Sequence, residues 1–469
     1  MPHGKAQIEA MQHGVAQKHL NVGMYSALKI IVPPLEQQEA FASFLCQNDK
    51  SKFGAWIMDL QSYKIGYIIY KDRSKGGGVM AAAVYVDVQP AVLDWVMQKT
   101  QFENVGSSVA ENLAQWRSGA KKPTFRQLED MSRKTHIPFG YFFLHTPPKE
   151  DFGLVEYRTV DSEAIQHPSR NLIDTVSAMQ RVQDWMEDYC KENEFDPLPF
   201  VGRFPSGRDA KTIVEDIRKE LELDIDWFKG RKDAHASFQF LRERITESGV
   251  MVMRNGIVGN NTHRKLNIDE FRAFTLVNKY APLIFINSND SENGRLFSLL
   301  HELAHVWIGR DSLYNEPYGG YEKVNRLEQV CNAVAAEILV PDELFKERWR
   351  SLSCGIEQKL EKLSRKYFTC SRFVIALKAF DNGFINQEAL NRVIAVLRKD
   401  YQNWNEAEKN HKGGGGDYYL NFGARWDNRF IRALIESTMN GGTLYTEAYR
   451  LTGTHGKTFD NLVKEVRGE

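Results

Sequence analysis

Two histidines four residues apart, His301 and His305, interrupt the apolar run LLHELAHVWIG between Leu299 and Gly309, with Glu302 beside the first. On a helix, side chains four positions apart leave the same face about one turn from each other. That separation lets two imidazole nitrogens reach a single ion at roughly 2.0–2.1 Å. Glu302 is placed to touch a water on the ion rather than the ion itself. Burying three such polar groups bare in an apolar helix costs on the order of several kcal/mol. A metal removes that cost, whereas a merely structural helix leaves the interruption unexplained.

The spacing is H-E-x-x-H, the motif of zinc metalloproteases. A catalytic zinc usually takes three protein ligands and leaves a fourth position for water. The third is sought in RLEQVCNAVAAEILVP, Arg326 to Pro341, where Val330, Val334 and Ile338 form an apolar row at four-residue spacing. Glu328, at the start of this predicted helix, is the best candidate. Glu337 is its rival more than two turns on, and Asn332 lies one turn after Glu328. Cys331 is a ligand by chemistry, although thiolate beside two imidazoles suits a structural site and its neighbour Val330 points to packing. Carboxylate and imidazole donors suit Zn2+ and Mn2+ alike. The chemistry expected is hydrolysis by a water that the ion makes acidic, with Glu302 taking its proton and later giving it to the leaving amine. Tyr314, Tyr318, Tyr321 and His263 are candidates for the oxyanion donor, and spacing singles out none of them.

HELAHVWIG followed by E-Q-V-C-N-A-V-A-A-E-I-L-V-P resembles the ImmA/IrrE family of metallo-endopeptidases. Its pattern is H-E-x-x-H and then, further along, E-x-x-x-N-x-x-A-A-E-x-L-x-P. The likeness runs from roughly Gly153 to Val396, and Cys331 stands where alanine is common. The resemblance implies His301, His305 and Glu328 as metal ligands and Glu302 as general base. It makes Asn332 and Glu337 supports behind the ligands or purely structural residues. It also implies a protein substrate: a helix-turn-helix regulator or the product of a neighbouring gene, some members belonging to toxin–antitoxin or phage-defence loci. The competing reading is a non-cleaving antitoxin or transcriptional regulator that keeps the fold and binds DNA or a partner toxin.

The elements that must position these residues are helices around a small sheet. NGRLFSLLHELAHVWIG keeps helical period. Ahead of it VMVMRNG, FRAFTLVN and APLIFINS are short apolar runs bounded by Gly, Asn and Asp, which predict three strands. HPSRNLIDTVSAMQRVQDWMEDYCKE reads as a long amphipathic helix begun by its serine, and AKTIVEDIRKELEL and ASFQFLRERITESG read as two more. After the site come packed helices, with Ser371 at the start of a recognition-like one. The fold expected is α+β: a mostly helical chain with a three-stranded sheet packed on a zincin-like helix pair, preceded by an all-helical module.

That module lies in residues 80–150. LAQWRSGAKKPTFRQLEDMSRKTHIPFGYFFL resembles the back half of a lambda-repressor-like, XRE-type helix-turn-helix domain. Trp95 and Trp116 stand too close for two complete helices and a turn between them, and VGSS is a poor helix former. Base readout needs a recognition helix propped by its partner. Arg117, Lys121, Lys122 and Arg126, with Arg133 and Lys134, are the candidate phosphate contacts; Glu111, Glu129 and Asp130 dilute them. Docking of protein, or cover for the next domain, is the other use of such a module.

Glycine runs in KDRSKGGGVMAAA and HKGGGGDYY behave as flexible joints. They divide the chain into residues 1–79, the module, a metallopeptidase domain over 151–400 and a C-terminal helical segment over 417–469. VPPLEQQEAFASFLCQNDKSK in the first piece weakly resembles part of a type I restriction specificity subunit. Met80 looks like a natural start, so residues 1–79 read as an appended segment. The 61 basic and 61 acidic residues cancel, so no global charge announces a nucleic-acid or membrane binder. No apolar run is long enough to span a bilayer. The first residues lack the apolar core of a signal peptide. Five scattered cysteines, Cys46, Cys190, Cys331, Cys354 and Cys370, form no C-x-x-C pair and suit reduced thiols in the cytoplasm.

Overall fold

The computed structural model describes residues 85–100, 107–148, 168–315, 326–410 and 424–467. The expected appended segment, both glycine runs, Tyr318 and Tyr321 lie outside the described residues.

The module folds as α1 (Pro90–Lys99), α2 (Ser107–Arg117) and α3 (Phe125–Thr135), closed by a 3-10 turn at Phe139–Phe143. Val92, Leu93, Val96, Val109, Leu113, Trp116, Leu128, Met131 and Phe142 form a core of its own. Thr124 and Gln127 make a reciprocal capping box at the start of α3, which is why the P-T turn launches that helix. The expectation for VGSS needs correcting in part: Ser107 and Ser108 open α2, where serine at a helix start is favourable. Only residues 100–106 separate α1 from α2, so the shortened spacing stands.

Next come α4 (Arg170–Glu192), α5 (Ala210–Glu220) and α6 (Ala234–Glu247), each begun by a side chain that accepts from its first turn: Ser169, Asp209 and Asp233. The strands follow: β1 (Met251–Asn255), β2 (Ile257–Val258), β3 (Asn261–Lys265), β4 (Ala273–Leu276) and β5 (Leu283–Asn287). Helix α7 (Glu292–Ile308) carries the motif, and β6 (Ser312–Tyr314) comes after it. The sheet has four strands in the order β1-β5-β4-β6, not the three expected, and β2 with β3 forms a separate two-stranded ribbon. β1 and β5 are parallel; the other pairs are antiparallel. All three predicted runs are in the sheet. The added strand has three residues, too few to show a period.

Both faces of the sheet are covered, which explains strands that are apolar throughout. Val252, Ala273, Ile284, Ile286 and Tyr314 alternate onto the side of α5, α6 and α7. Met251, Met253, Phe274, Phe285 and Leu313 alternate onto the side of α4. Each large side chain so buried contributes about 1.5–3 kcal/mol relative to exposure.

Helix α8 (Arg326–Leu339) packs along α7, followed by α9 (Asp342–Ser351), α10 (Ile356–Lys362), α11 (Arg372–Asp381) and α12 (Gln387–Asn410). Ser371 caps α11, as its place before that helix predicted. The tail forms α13 (Asn428–Met439), α14 (Tyr445–Thr452) and α15 (Lys457–Arg467).

The boundary drawn before this tail marks the sequence but not the packing. Phe430, Ile431, Leu434, Leu451 and Phe459 share the core of α4 and the sheet. Buried Asp427 caps α13 with one carboxylate oxygen and accepts from Thr246 Oγ1 (2.6 Å) and the Val252 amide (3.0 Å) with the other. Arg242 donates to the carbonyls of Ala424 (2.9 Å) and Trp426 (2.5 Å). The tail therefore packs as part of the same core as α4 and the sheet.

Candidate metal centre

Helix α7 starts where the Ser291 hydroxyl accepts from the Gly294 amide and ends at Gly309, whose φ of 76° is left-handed. A Cβ on Gly309 would lie 2.6 Å from the Cα of Gly202, so only glycine lets the preceding loop close against the helix end. His301, Glu302 and His305 are all buried on this helix.

From α8, half-buried Glu328 meets them. Its Oε2 is 3.0 Å from His301 Nε2 and 3.5 Å from His305 Nε2, and the two imidazole nitrogens are 3.2 Å apart. One donor atom from each of the three lies within 4.8 Å of the others, and Cys331 does not join that set. The Asn332 amide oxygen accepts from His301 Nδ1 at 2.9 Å, which fixes the tautomer and leaves Nε2 with a free lone pair. Two imidazole nitrogens and a carboxylate oxygen thus face one point. That arrangement is repulsive unless positive charge sits between them.

Burial would push the His305 imidazole down, but the Cys331 thiol and Glu328 hold it well above the usual histidine range. Burial would push Glu328 up, yet the two histidines keep it well below the usual carboxylate range. Burial raises the Cys331 thiol, against the pull of His305. Buried Nδ1 of His305 and Oε1 of Glu302 have no hydrogen-bond partner among the described residues. Two nitrogens and one carboxylate oxygen are the donors a divalent zinc or manganese ion accepts, so the residues present fit a metal.

Glu302 projects to the sheet side of the ligand set. Its Oε2 accepts from Thr275 Oγ1 at 2.6 Å and from Ser312 Oγ. Sequence reasoning missed both hydroxyls. The only signal was polar residues in short strands, which reads as loop chemistry.

The remaining candidates separate cleanly. Tyr314 packs on His301, with ring centroids 4.1 Å apart. His263 sits exposed on β3, outside the four-stranded sheet. Glu337 is not with the ligands: it pairs with Lys378 through Oε2 and accepts the Asp342 amide at 3.1 Å, capping α9. Val334 and Ile338 of the apolar row are fully buried, and Val330 packs at their edge. In the module Arg117, Lys121, Lys122 and Arg126 are all exposed. Arg117 is held by Asp94 at 2.6 Å, Lys122 by Asp87 at 2.6 Å, and Arg133 and Lys134 both face Asp130, so four of the six candidate phosphate contacts are ion-paired within the module. Cys190, Cys331, Cys354 and Cys370 are free thiols. No helix among the described residues is long and apolar enough to cross a membrane.

A cleft of about 1300 Å³ runs along α7 and α8 towards α11 and α12. It reaches the site at Tyr314 and Asn332, beside Phe297 and Ser298.

Residues 426–465, the tail helices, match a family model described as a domain of unknown function. No curated protein matches the chain. Residues 245–379, a narrower span than the sequence likeness covers but one that holds every residue of the metal centre, match the family model described as IrrE N-terminal-like domain, which supports a metallopeptidase-like domain of the ImmA/IrrE type.

Proposed function

We propose that this chain is a metal-dependent endopeptidase, with zinc as the resident ion and manganese also compatible, that cleaves a DNA-binding regulator or other protein partner in the cytoplasm. The observation that carries the reading is the meeting of His301 Nε2, His305 Nε2 and Glu328 Oε2 at one buried point beside Glu302. A divalent ion bound there supplies Lewis acidity towards a water and the scissile carbonyl. The protein supplies the rest. Asn332 holds the His301 ring in the ligating tautomer. Glu302 Oε1, without a hydrogen-bond partner among the described residues, takes the proton of the attacking water and returns it to the leaving amine. Tyr314 is the donor we assign to the oxyanion, because it alone of the four candidates lies against the ligands among the described residues. The cleft of about 1300 Å³ exceeds the range of small-molecule pockets, roughly 300–1,000 Å³, as a polypeptide substrate requires. The three-helix module, with Lys121 and Arg126 exposed, would dock the regulator or its DNA.

The test is to incubate the zinc-loaded full chain with candidate helix-turn-helix regulators and the products of neighbouring genes and read fragments by mass spectrometry. Glu302→Gln should keep the metal and lower turnover by about 10²–10⁴-fold. Undiminished cleavage by that variant would sink the general-base assignment. Full biological effect without cleavage would favour a binding regulator.

A further inference from the structure

In the antiparallel pairing of β4 with β6, Thr275 stands directly opposite Ser312. Residues opposite each other in such a pair send their side chains to the same face. Here that face is the one under α7. Tyr314 and Ala273, the next pair in the same phase, join the core on the α7 side, whereas Leu313 and Phe274 between them join the opposite core. Both hydroxyls converge on a single atom, Oε2 of Glu302. An ionised carboxylate can only accept, so both must donate. The Thr275 hydroxyl also lies 3.2 Å from the Glu302 carbonyl, which ties the strand to the helix backbone at the same residue. Oε1 has no partner among the described residues.

We infer that Thr275 and Ser312 are positioning residues for Glu302: a cross-strand hydroxyl clamp that anchors Oε2 to the sheet and commits Oε1 to proton transfer. The inference rests on the reading of Glu302 as general base. A glutamate side chain left free gives up conformational entropy each time it must present one oxygen in one place. Two hydroxyls from paired strands fix its orientation before a substrate arrives. The sheet's packing does not otherwise call for them. Thr275 is fully buried and Ser312 nearly so, among neighbours that are apolar.

Acetohydroxamate is the probe. It chelates the ion while giving a proton to the general base, so its affinity reads the free oxygen of Glu302 without the natural substrate. In calorimetric titration of the zinc-loaded full chain, Ser312→Ala and Thr275→Val are each expected to weaken binding by about tenfold or more, the share of one hydrogen bond to a charged group. Zinc stoichiometry should not change. Ser312→Thr and Thr275→Ser, which keep the hydroxyls, should restore wild-type affinity. If the hydroxyl-free variants bind the probe as wild type does while Glu302→Gln binds it poorly, the clamp is overturned and the general-base reading stands. If Thr275→Ser is as impaired as Thr275→Val, the contribution is packing and the clamp is again overturned. If Glu302→Gln binds the probe as tightly as wild type, the general-base reading falls and takes the clamp with it.

Discussion

Helix α8 carries a glutamate near each end, and the two ends do opposite things with the same functional group. At the amino end Glu328 faces two imidazole nitrogens whose positive charge must be brought in, by a proton or by the ion we propose. At the carboxyl end Glu337 faces Lys378, a cation the chain provides itself, with Asp342 on the same ammonium group at 2.8 Å. One end is incomplete as protein and the other is complete. Buried polar groups that satisfy one another mark structure; a buried set that converges and is left short of charge marks a site for something brought in.

Glu337→Ala should sharpen this contrast most in stability. It leaves the buried Lys378 ammonium with Asp342 alone and removes the acceptor of the first amide of α9, so unfolding in urea should show a loss of about 2 kcal/mol while zinc stoichiometry is unchanged. An equal loss of metal would erase the distinction between the two ends. A smaller effect is expected at the amino end from Asn332→Ala. Without its acceptor, His301 is no longer fixed in one tautomer, and zinc affinity should fall about 10–100-fold with little change in the unfolding midpoint. The smallest effect is on the pH dependence of the carboxyl end. Burial works against the Asp342 carboxylate, but Lys378 and Asn382 keep its folded pKa below 3.8. Its contribution to stability is therefore fully present above 3.8 and is lost as pH falls through the depressed folded value. Asp342→Asn should remove that acid-side slope, seen by thermal melts between about pH 2 and 5; a slope that persisted would place it elsewhere.

The same contrast separates what was legible in the sequence from what was not. His301, Glu302 and His305 lie on one helix, where fixed spacing converts directly into a shared face; that Glu328 and Asn332 meet them from a second helix is implied by the family resemblance, with Glu337 still a rival. Glu337 stays a rival in the sequence because its partner cannot be named: Lys378 lies 41 residues away on another helix. The clamp residues were invisible for a different reason. Ser312 sits in a strand of three residues that exists only because β4 is there to pair with it, and no local period announces such an edge. The tail shows the same limit: its helices were legible, while their place on the back of the sheet depends on Asp427 and Arg242 reaching across about two hundred residues of chain.

The central claim is that Glu328, not Glu337, completes a metal site with the two histidines. Zinc titration of chelator-treated wild type, Glu328→Gln and Glu337→Gln tests it most directly. The account predicts one tight site in wild type and in Glu337→Gln, and an affinity lower by about 100-fold or more in Glu328→Gln, the upper range for disturbing a metal's surroundings. Equal affinity in wild type and Glu328→Gln would contradict it.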